Sequence, residues 1–292
     1  RIKRVDQKAF QSALDAGEVV VATGFQGVDS QGNVTTLGRG GSDTSAVALA
    51  AALEADECEI YTDVLGVFTA DPRICTTAKK LDEICFEEMM EMASQGSKVL
   101  LIRSVELAMN HNVPIRVRST FSEDRGTLVH NEEDALERLV VRGISHNMNE
   151  VKFTMRGLPY GEGAPSKIFG ALAEAQINVD VIVQNAPSEN NIDLSFTLDQ
   201  SDRYKAEDVL KVVLADAQGA NTEIDENIGK VSIVGVGMRS HAGVAAAMFA
   251  TLQAQKIDIL MISTSEIKVT CVVAKADIEK AVNALHESFS LA

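Results

Sequence analysis

Four apolar residues in the second half of the chain, Phe169, Leu172, Ile177 and Ile182, recur as Phe249, Leu252, Ile257 and Ile262, each 80 positions later. Self-similarity at a fixed period marks a duplicated unit, and this period suits a small domain. Each copy opens with a strand, 151–155 or 230–234, followed by a loop with glycines. A helix over 166–175 or 244–255 comes next. Two strands follow, 179–184 and 192–198 in the first copy, 259–263 and 268–273 in the second. A closing helix spans 206–217 or 276–289. This βαββα pattern belongs to the ferredoxin-like class, a sheet with helices on one face. Small copies of this kind pair to cover exposed strands.

Residues 1 to about 130 read differently. Strand-like and helix-like segments alternate: a helix over 5–16, a buried strand at Val19-Val20-Val21-Ala22, a helix over 44–55, a strand over 59–62, helices over 86–92 and 99–111, and strands over 114–118 and 126–129. The acidic stretch 131–137 is helix-compatible and leads out of this region. Alternating strands and helices predict an α/β sheet with helices on its faces. Ligands of such sheets gather outside the carboxyl ends of the strands.

Two motifs fall on that edge. The first is Thr35-Thr36-Leu37-Gly38-Arg39-Gly40-Gly41-Ser42-Asp43, a glycine-rich turn opening an Ala- and Leu-rich helix. Ser42 or Asp43 can cap that helix. Backbone N–H groups without side chains in the way, aided by the helix dipole, suit a phosphate or carboxylate. Arg39 adds a planar donor fork of matching shape. No Gly-Lys-Ser/Thr follows a Gly and four spacers, so this is not a Walker A loop. The second motif runs from Glu59-Ile60-Tyr61-Thr62-Asp63 through Gly66-Val67-Phe68-Thr69-Ala70-Asp71-Pro72-Arg73.

Together the two stretches closely resemble the aspartate kinases of the amino-acid kinase superfamily, in which both the Gly-Arg-Gly-Gly-Ser-Asp loop and the Thr-x-Asp-Pro-Arg segment are specific. The resemblance extends over essentially the whole chain, which covers only part of the family's length. The repeat copies resemble ACT domains, amino-acid-sensing modules. The run Gly235-Val236-Gly237-Met238-Arg239-Ser240-His241 and the run Ser263-Thr264-Ser265-Glu266-Ile267 are similar to the second ACT domain of that family. The fold implied is α/β. The C-terminal part of an amino-acid kinase domain (an αβα sandwich) would occupy 1–130 and a linker 131–150. Two ferredoxin-like βαββαβ ACT domains would follow over 151–228 and 229–292, interleaved as in that family.

The resemblance implies transfer of the γ-phosphoryl of ATP to the side-chain carboxylate of L-aspartate. Such a step depends on positioning and electrostatics, with Mg²⁺ neutralising phosphate oxygens. It assigns Arg39 to the α-carboxylate of aspartate and Ser42 to a hydrogen bond with it. Gly40 and Gly41 would let backbone approach, and Asp43 would orient a lysine or the metal shell. Thr62 and Asp63 would contact the nucleotide, with Phe68, Thr69, Ala70, Asp71, Pro72 and Arg73 lining its site. Lys98 would reach it from Gly96-Ser97-Lys98-Val99. Position 68 is Tyr in many relatives and Phe here, which removes a hydroxyl contact. The family's Lys-Phe-Gly-Gly-Thr-Ser segment is not among these residues, and the chain starts at Arg1. It is read as lacking its natural N-terminus and as inactive, or nearly so, by itself.

Lysine, threonine or both are the effectors implied. The matching positions are Tyr160, Gly161, Glu162, Gly163, Ala164 and Pro165, then Asn178, Val179, Asp180 and Gln184, and Val244, Ala245, Asp258, Ile259 and Ser265. Several depart from the family, which usually has an Asp where Tyr160 stands, a Gly-Glu pair at Gly163-Ala164 and a Thr at 245. Losing those carboxylates weakens the hold on an ammonium group, for which Glu162 or Asp180 could compensate. Paired ACT sheets imply a homodimer. A net charge of −15 disfavours a nucleic-acid partner. No apolar run reaches membrane-spanning length, and no signal peptide is expected. Cys58, Cys75, Cys85 and Cys271 form no CxxC pair and read as reduced thiols of a cytoplasmic protein. A non-catalytic, amino-acid-binding regulatory subunit is the alternative, and the two nucleotide-site motifs count against it.

Overall fold

The computed structural model describes residues 2–38, 40–97, 99–132, 139–161, 163–188, 190–215 and 220–292. The chain opens with helix α1 (Lys8–Asp15). A two-stranded hairpin follows, β1 (Gln26–Val28) paired antiparallel with β2 (Val34–Thr36). Its turn is closed by Asp29, whose carboxylate accepts the backbone N–H groups of Gln31 and Asn33 at 2.8 and 2.9 Å. Asx-type turns of this sort compete with regular structure and reverse the chain. The Asn33 side chain, then the backbone donors, hold the Asp29 carboxyl below its usual range.

Next come α2 (Gly41–Ala52), β3 (Cys58–Thr62), β4 (Glu83–Cys85), α3 (Phe86–Ser94), α4 (Ile102–His111), β5 (Ile115–Ser119) and β6 (Thr127–His130). These strands make one sheet in the order β3-β5-β6-β4, with β3 parallel to β5, β5 antiparallel to β6, and β4 parallel to β6. Val47, Ile84, Phe86, Met89, Val105, Ile115, Val117 and Val129 pack between this sheet and its helices. The expected strand at 19–22 is not formed. Val19 and Val21 are 92% and 93% exposed, and among the described residues no strand pairs with them. A short apolar run becomes a buried strand only where a sheet edge and a covering layer meet it.

The second half forms a six-stranded sheet from β7 (Gly143–Pro159), β8 (Ile182–Gln184), β9 (Asn191–Asp199), β10 (Asn221–Val234), β11 (Met261–Thr264) and β12 (Lys268–Ala274). Its helices are α5 (Ala164–Glu174), α6 (Arg203–Val213), α7 (Val244–Ala254) and α8 (Ile278–Ser288). The order is β11-β12-β10-β7-β9-β8. β7 and β10 are long and antiparallel, and the ladder between them is broken by a bulge near Ile228. On one side of it, 221–225 pairs with 152–156, and on the other, 230–234 pairs with 143–147. The early part of β10 thus adds a last strand to the first repeat copy, and the early part of β7 lies beside the second.

The repeated residues have repeated roles. Leu172 and Leu252 are buried, as are Ile177 and Ile257, while Phe169 and Phe249 pack on the edges of their separate cores. Ile182 and Ile262 stay 47% and 43% exposed on the edge strands β8 and β11. In the first core the Phe153 and Phe196 rings stack at 5.6 Å and Phe169 meets Phe196 edge-on at 5.5 Å. The second core, built on Val231, Ile233, Met248, Val273, Val282 and Leu285, also takes in Ala70 and Cys75 from the first half of the chain. The two halves therefore share a core.

Candidate functional site

The glycine-rich turn sits where the hairpin meets α2. Gly40 is the residue before the helix and adopts φ 66°, ψ 19°. A Cβ there would lie 1.2 Å from Leu101 Cδ1, so only glycine fits both the backbone and the space. The contact also brings the segment before α4 against this turn, and Arg103 Nη1 donates to the Leu37 carbonyl at 2.9 Å. Ser45, one helical turn on, accepts the Phe25 N–H at 3.1 Å and so ties the hairpin to α2.

Helix capping by Ser42 or Asp43 is not what the structure shows. The helix already starts at Gly41, both residues lie in its first turn, and no side chain caps it. Ser42 is exposed and Asp43 half-buried. Burial pushes the Asp43 carboxyl up, partly offset by its own backbone N–H. Arg39 and Lys98 lie outside the described residues.

The second motif leaves the same sheet at the carboxyl end of β3. The Thr62 carbonyl accepts the Thr120 N–H at 2.8 Å, which holds the β3 and β5 exits together, and the Thr62 hydroxyl bonds Asp63 at 3.1 Å. Arg116 and Glu57 make a bidentate pair at 2.7 Å, and Arg118 bonds Glu59 at 2.9 Å and stacks on Tyr61. Past Asp63 the chain turns at Gly66 (φ 151°), where a Cβ would lie 2.4 Å from Thr127 Oγ1. That hydroxyl accepts the Val67 N–H and donates to the Leu81 carbonyl, fixing how the segment leaves the sheet. Gly66→Ala is expected to cost about 1–3 kcal/mol in stability. Thermal unfolding beside Thr127→Ser, which keeps the hydroxyl, checks it.

From Phe68 onward the segment divides into two faces. Phe68 is partly buried, while Thr69 and Ala70 are 5% and 3% exposed and turn toward the C-terminal core. Pro72 and Arg73 are exposed, and Asp71 is partly buried beneath the Arg73 side chain that it pairs with. Arg73 bonds the Asp71 carboxylate through Nε and Nη2, the latter at 2.7 Å, with its side chain 86% exposed. The Arg73 guanidinium first of all holds the Asp71 carboxyl low, and Asp63 lies within electrostatic reach of Arg73. The structure thus gathers Thr62, Asp63, Asp71 and Arg73 at one sheet exit and turns Thr69 and Ala70 away from it.

The expected effector positions form two matching groups. In the first copy Tyr160 is 52% exposed, Gly161 and Gly163 adopt positive φ, and α5 begins at Ala164-Pro165. Asn178, Asp180 and Gln184 are exposed and Val179 partly buried. Glu162 lies outside the described residues. In the second copy Val244 is buried, Ala245 and Ile259 are partly so, and Asp258 and Ser265 are exposed. Asp180 is not a free anion. Its carboxylate meets Lys230 Nζ, which also bonds Glu150 Oε1 at 2.7 Å. Lys230 and Glu150 are buried side chains on β10 and β7, and Asn147 Nδ2 donates to the same Glu150 oxygen. Burial, the largest influence, raises the Glu150 carboxyl despite Lys230. Sequence reading missed Lys230, Ser45, Thr127 and Leu101. Only Ser45, four residues after Gly41 on one helix face, had a local signal.

Comparison with known proteins defines the class. Residues 1–119 match the amino acid kinase family and residues 231–289 an ACT domain, so the α/β sheet with its glycine-rich turn is an amino acid kinase unit joined to ACT modules. Over its whole length the chain is 53% identical to the aspartokinase of Pseudomonas aeruginosa, of which it spans 71%. The chain belongs to the aspartate kinase family. Among solved structures it resembles E. coli aspartokinase III in complex with aspartate and ADP, with a TM-score of 0.78 and 31% identity, over 96% of this chain and 63% of that one. The same enzyme in complex with lysine and aspartate gives 0.75 and 31%, over 96% and 62%. The chain thus spans somewhat under two thirds of those solved chains.

Proposed function

We propose that this chain is part of an aspartate kinase that transfers the γ-phosphoryl of ATP to the side-chain carboxylate of L-aspartate, giving 4-phospho-L-aspartate. This is the first step toward lysine, threonine and methionine, in the cytoplasm. The observation that carries the reading is the pairing of a glycine turn and helix start bearing Asp43 with an exposed Asp63 and Arg73, the latter paired with a partly buried Asp71, both in one α/β unit.

In this reading the first turn of α2 offers N–H groups and Ser42 to an anionic substrate, joined by Arg39. Thr62, Asp63 and Arg73 receive the nucleotide, Arg73 as a phosphate contact. Pairing with Asp71 holds its guanidinium in one orientation, which lowers the entropy lost on binding. Lys98 completes the nucleotide side. Among the described residues no cluster of three His, Cys, Asp or Glu could hold a metal ion. A Mg²⁺ carried mainly by phosphate oxygens and water would take Asp43 or Asp63 as its carboxylate partner. When bound, the ion neutralises phosphate charge.

The 292 residues contain no Lys-Phe-Gly-Gly-Thr-Ser segment, so on their own they are expected to bind ADP yet show almost no turnover with ATP and aspartate. Titration calorimetry with ADP and a coupled kinase assay check both halves. Normal turnover by this chain would overturn the division of labour. The interleaved copies are read as ACT domains under lysine or threonine control, with a homodimer formed through the edge strands. The lysine complex of the E. coli relative supports that control. Because Lys230 already occupies Asp180, binding of L-lysine or L-threonine is expected to be weak. Separate and joint calorimetric titrations with the two amino acids test it.

A further inference from the structure

We propose that His286, on the last helix of the chain, is a positioning residue for the nucleotide segment, so that nucleotide affinity is set partly from the C-terminal core. This rests on reading Asp71 and Arg73 as nucleotide contacts.

The segment is a loop clasped at its neck. The Thr69 N–H donates to the Lys79 carbonyl at 2.9 Å, and the Lys79 N–H donates to Thr69 Oγ1 at 3.0 Å. Between them the Ile74 and Cys75 N–H groups fold back on the Asp71 carbonyl, at 3.0 and 2.9 Å. The loop's inner side chains, Ala70, Ile74, Cys75 and Ala78, have no place in the kinase core. They pack instead with Ile144, Ile278, Val282 and Leu285 of β7 and α8.

α8 grips this loop at three points. His286 Nε2 meets Thr69 Oγ1 at 2.8 Å, and its Nδ1 lies 3.4 Å from Thr77 Oγ1. Asn283 Nδ2 donates to the Ile74 carbonyl at 3.1 Å. β7 adds a fourth, since the Ile144 N–H donates to the Thr69 carbonyl at 2.7 Å. His286 is fully buried. A neutral imidazole has one donor and one acceptor and can serve a threonine with each. Burial, with Lys79 as a smaller influence, lowers its pKa and favours that neutral form.

The geometry makes Thr69 the anchor of the loop. Its backbone and hydroxyl carry the neck of the loop, and the Asp71–Arg73 pair, with Arg73 exposed, lies within four residues of it. A shift of α8 relative to the kinase sheet would move the Arg73 guanidinium with no residue of the kinase core taking part.

The test uses ADP with Mg²⁺ as probe, by calorimetry on the chain as it stands, with hydrogen exchange and thermal unfolding on the same samples. His286→Leu keeps much of the volume and loses both bonds. It is expected to weaken ADP about tenfold, the loss of one well-made hydrogen bond, and to speed amide exchange within 69–79. His286→Gln can place an amide nitrogen near the Nε2 position and is expected to stay within about threefold of the original. Thr69→Val should match His286→Leu, and the double variant should add little. A His286→Leu chain that melts lower but binds ADP unchanged would reduce His286 to a structural peg and overturn the proposal. Equal loss in the Leu and Gln variants would overturn it as well. If the unsubstituted chain binds no ADP, the nucleotide reading itself fails, and the proposal falls with it.

Discussion

Lys230→Met is expected to destabilise the protein by about 3–5 kcal/mol, the usual cost of breaking a buried ion pair from one side. Lys230 is 2% exposed and joins Glu150 of β7 to Asp180 of the segment before β8. Methionine matches its length, so the loss is charge and not volume. Without the ammonium two carboxylates face each other, one of them buried. Glu150 Oε2 already has no hydrogen-bond partner, so the Asn147 amide on Oε1 would be the donor left to the carboxylate. Burial has already raised the Glu150 carboxyl, and the variant should respond by taking up a proton there at higher pH. In differential scanning fluorimetry the melting temperature should fall by roughly 10 °C. The double variant Lys230→Met with Glu150→Gln should recover most of it. A single variant that melts like the original would show that the triad contributes nothing net. The site also bears on effector binding, because the freed Asp180 would become an anion available to a ligand's ammonium group.

Asp43→Asn is expected to separate function from stability. In a complete enzyme carrying this sequence, kcat should fall about 10²–10³-fold, the range for losing one placed electrostatic group. The melting temperature should stay level or rise. Asp43 is half-buried in the first turn of α2 with its pKa raised by desolvation, and its own backbone N–H is the one interaction that counters this. A neutral amide of the same shape removes that desolvation cost, as replacement of a strained functional carboxylate commonly does. Steady-state kinetics beside thermal unfolding read the two effects. A large fall in stability with unchanged kcat would make Asp43 a structural residue of the helix start.

Much of the local structure was written in local sequence. The 80-residue recurrence placed Leu172 with Leu252 and Ile177 with Ile257 in equivalent core positions, because each helix of the repeat must bury the same face. Gly40 is expected from the sequence to let backbone approach a ligand; what the structure shows is a positive φ and Leu101 in the space a side chain would take, a packing reason that residue type alone does not name. The Thr62-Asp63 motif falls at a strand exit as expected, since β3 ends at Thr62. Capping at Ser42 or Asp43 failed because the helix gains an extra turn start at Gly41, which residue type alone does not reveal.

Only the tertiary structure decided the rest. Val19-Val20-Val21-Ala22 has the composition of a strand, yet among the described residues no neighbour supplies the ladder a strand requires. β7 and β10 outrun the repeat because each finds partners on both sides of the bulge at Ile228. Thr69 and Ala70 belong by sequence to a nucleotide motif and by burial to the C-terminal core. Thr69 and His286 are 217 positions apart, and Lys230 is 50 from Asp180. Local sequence records the conformations a segment prefers, through sterics, periodicity and turn chemistry. Pairings between distant polar groups leave no such record, because each is fixed only when folding brings its partners together and removes the water between them.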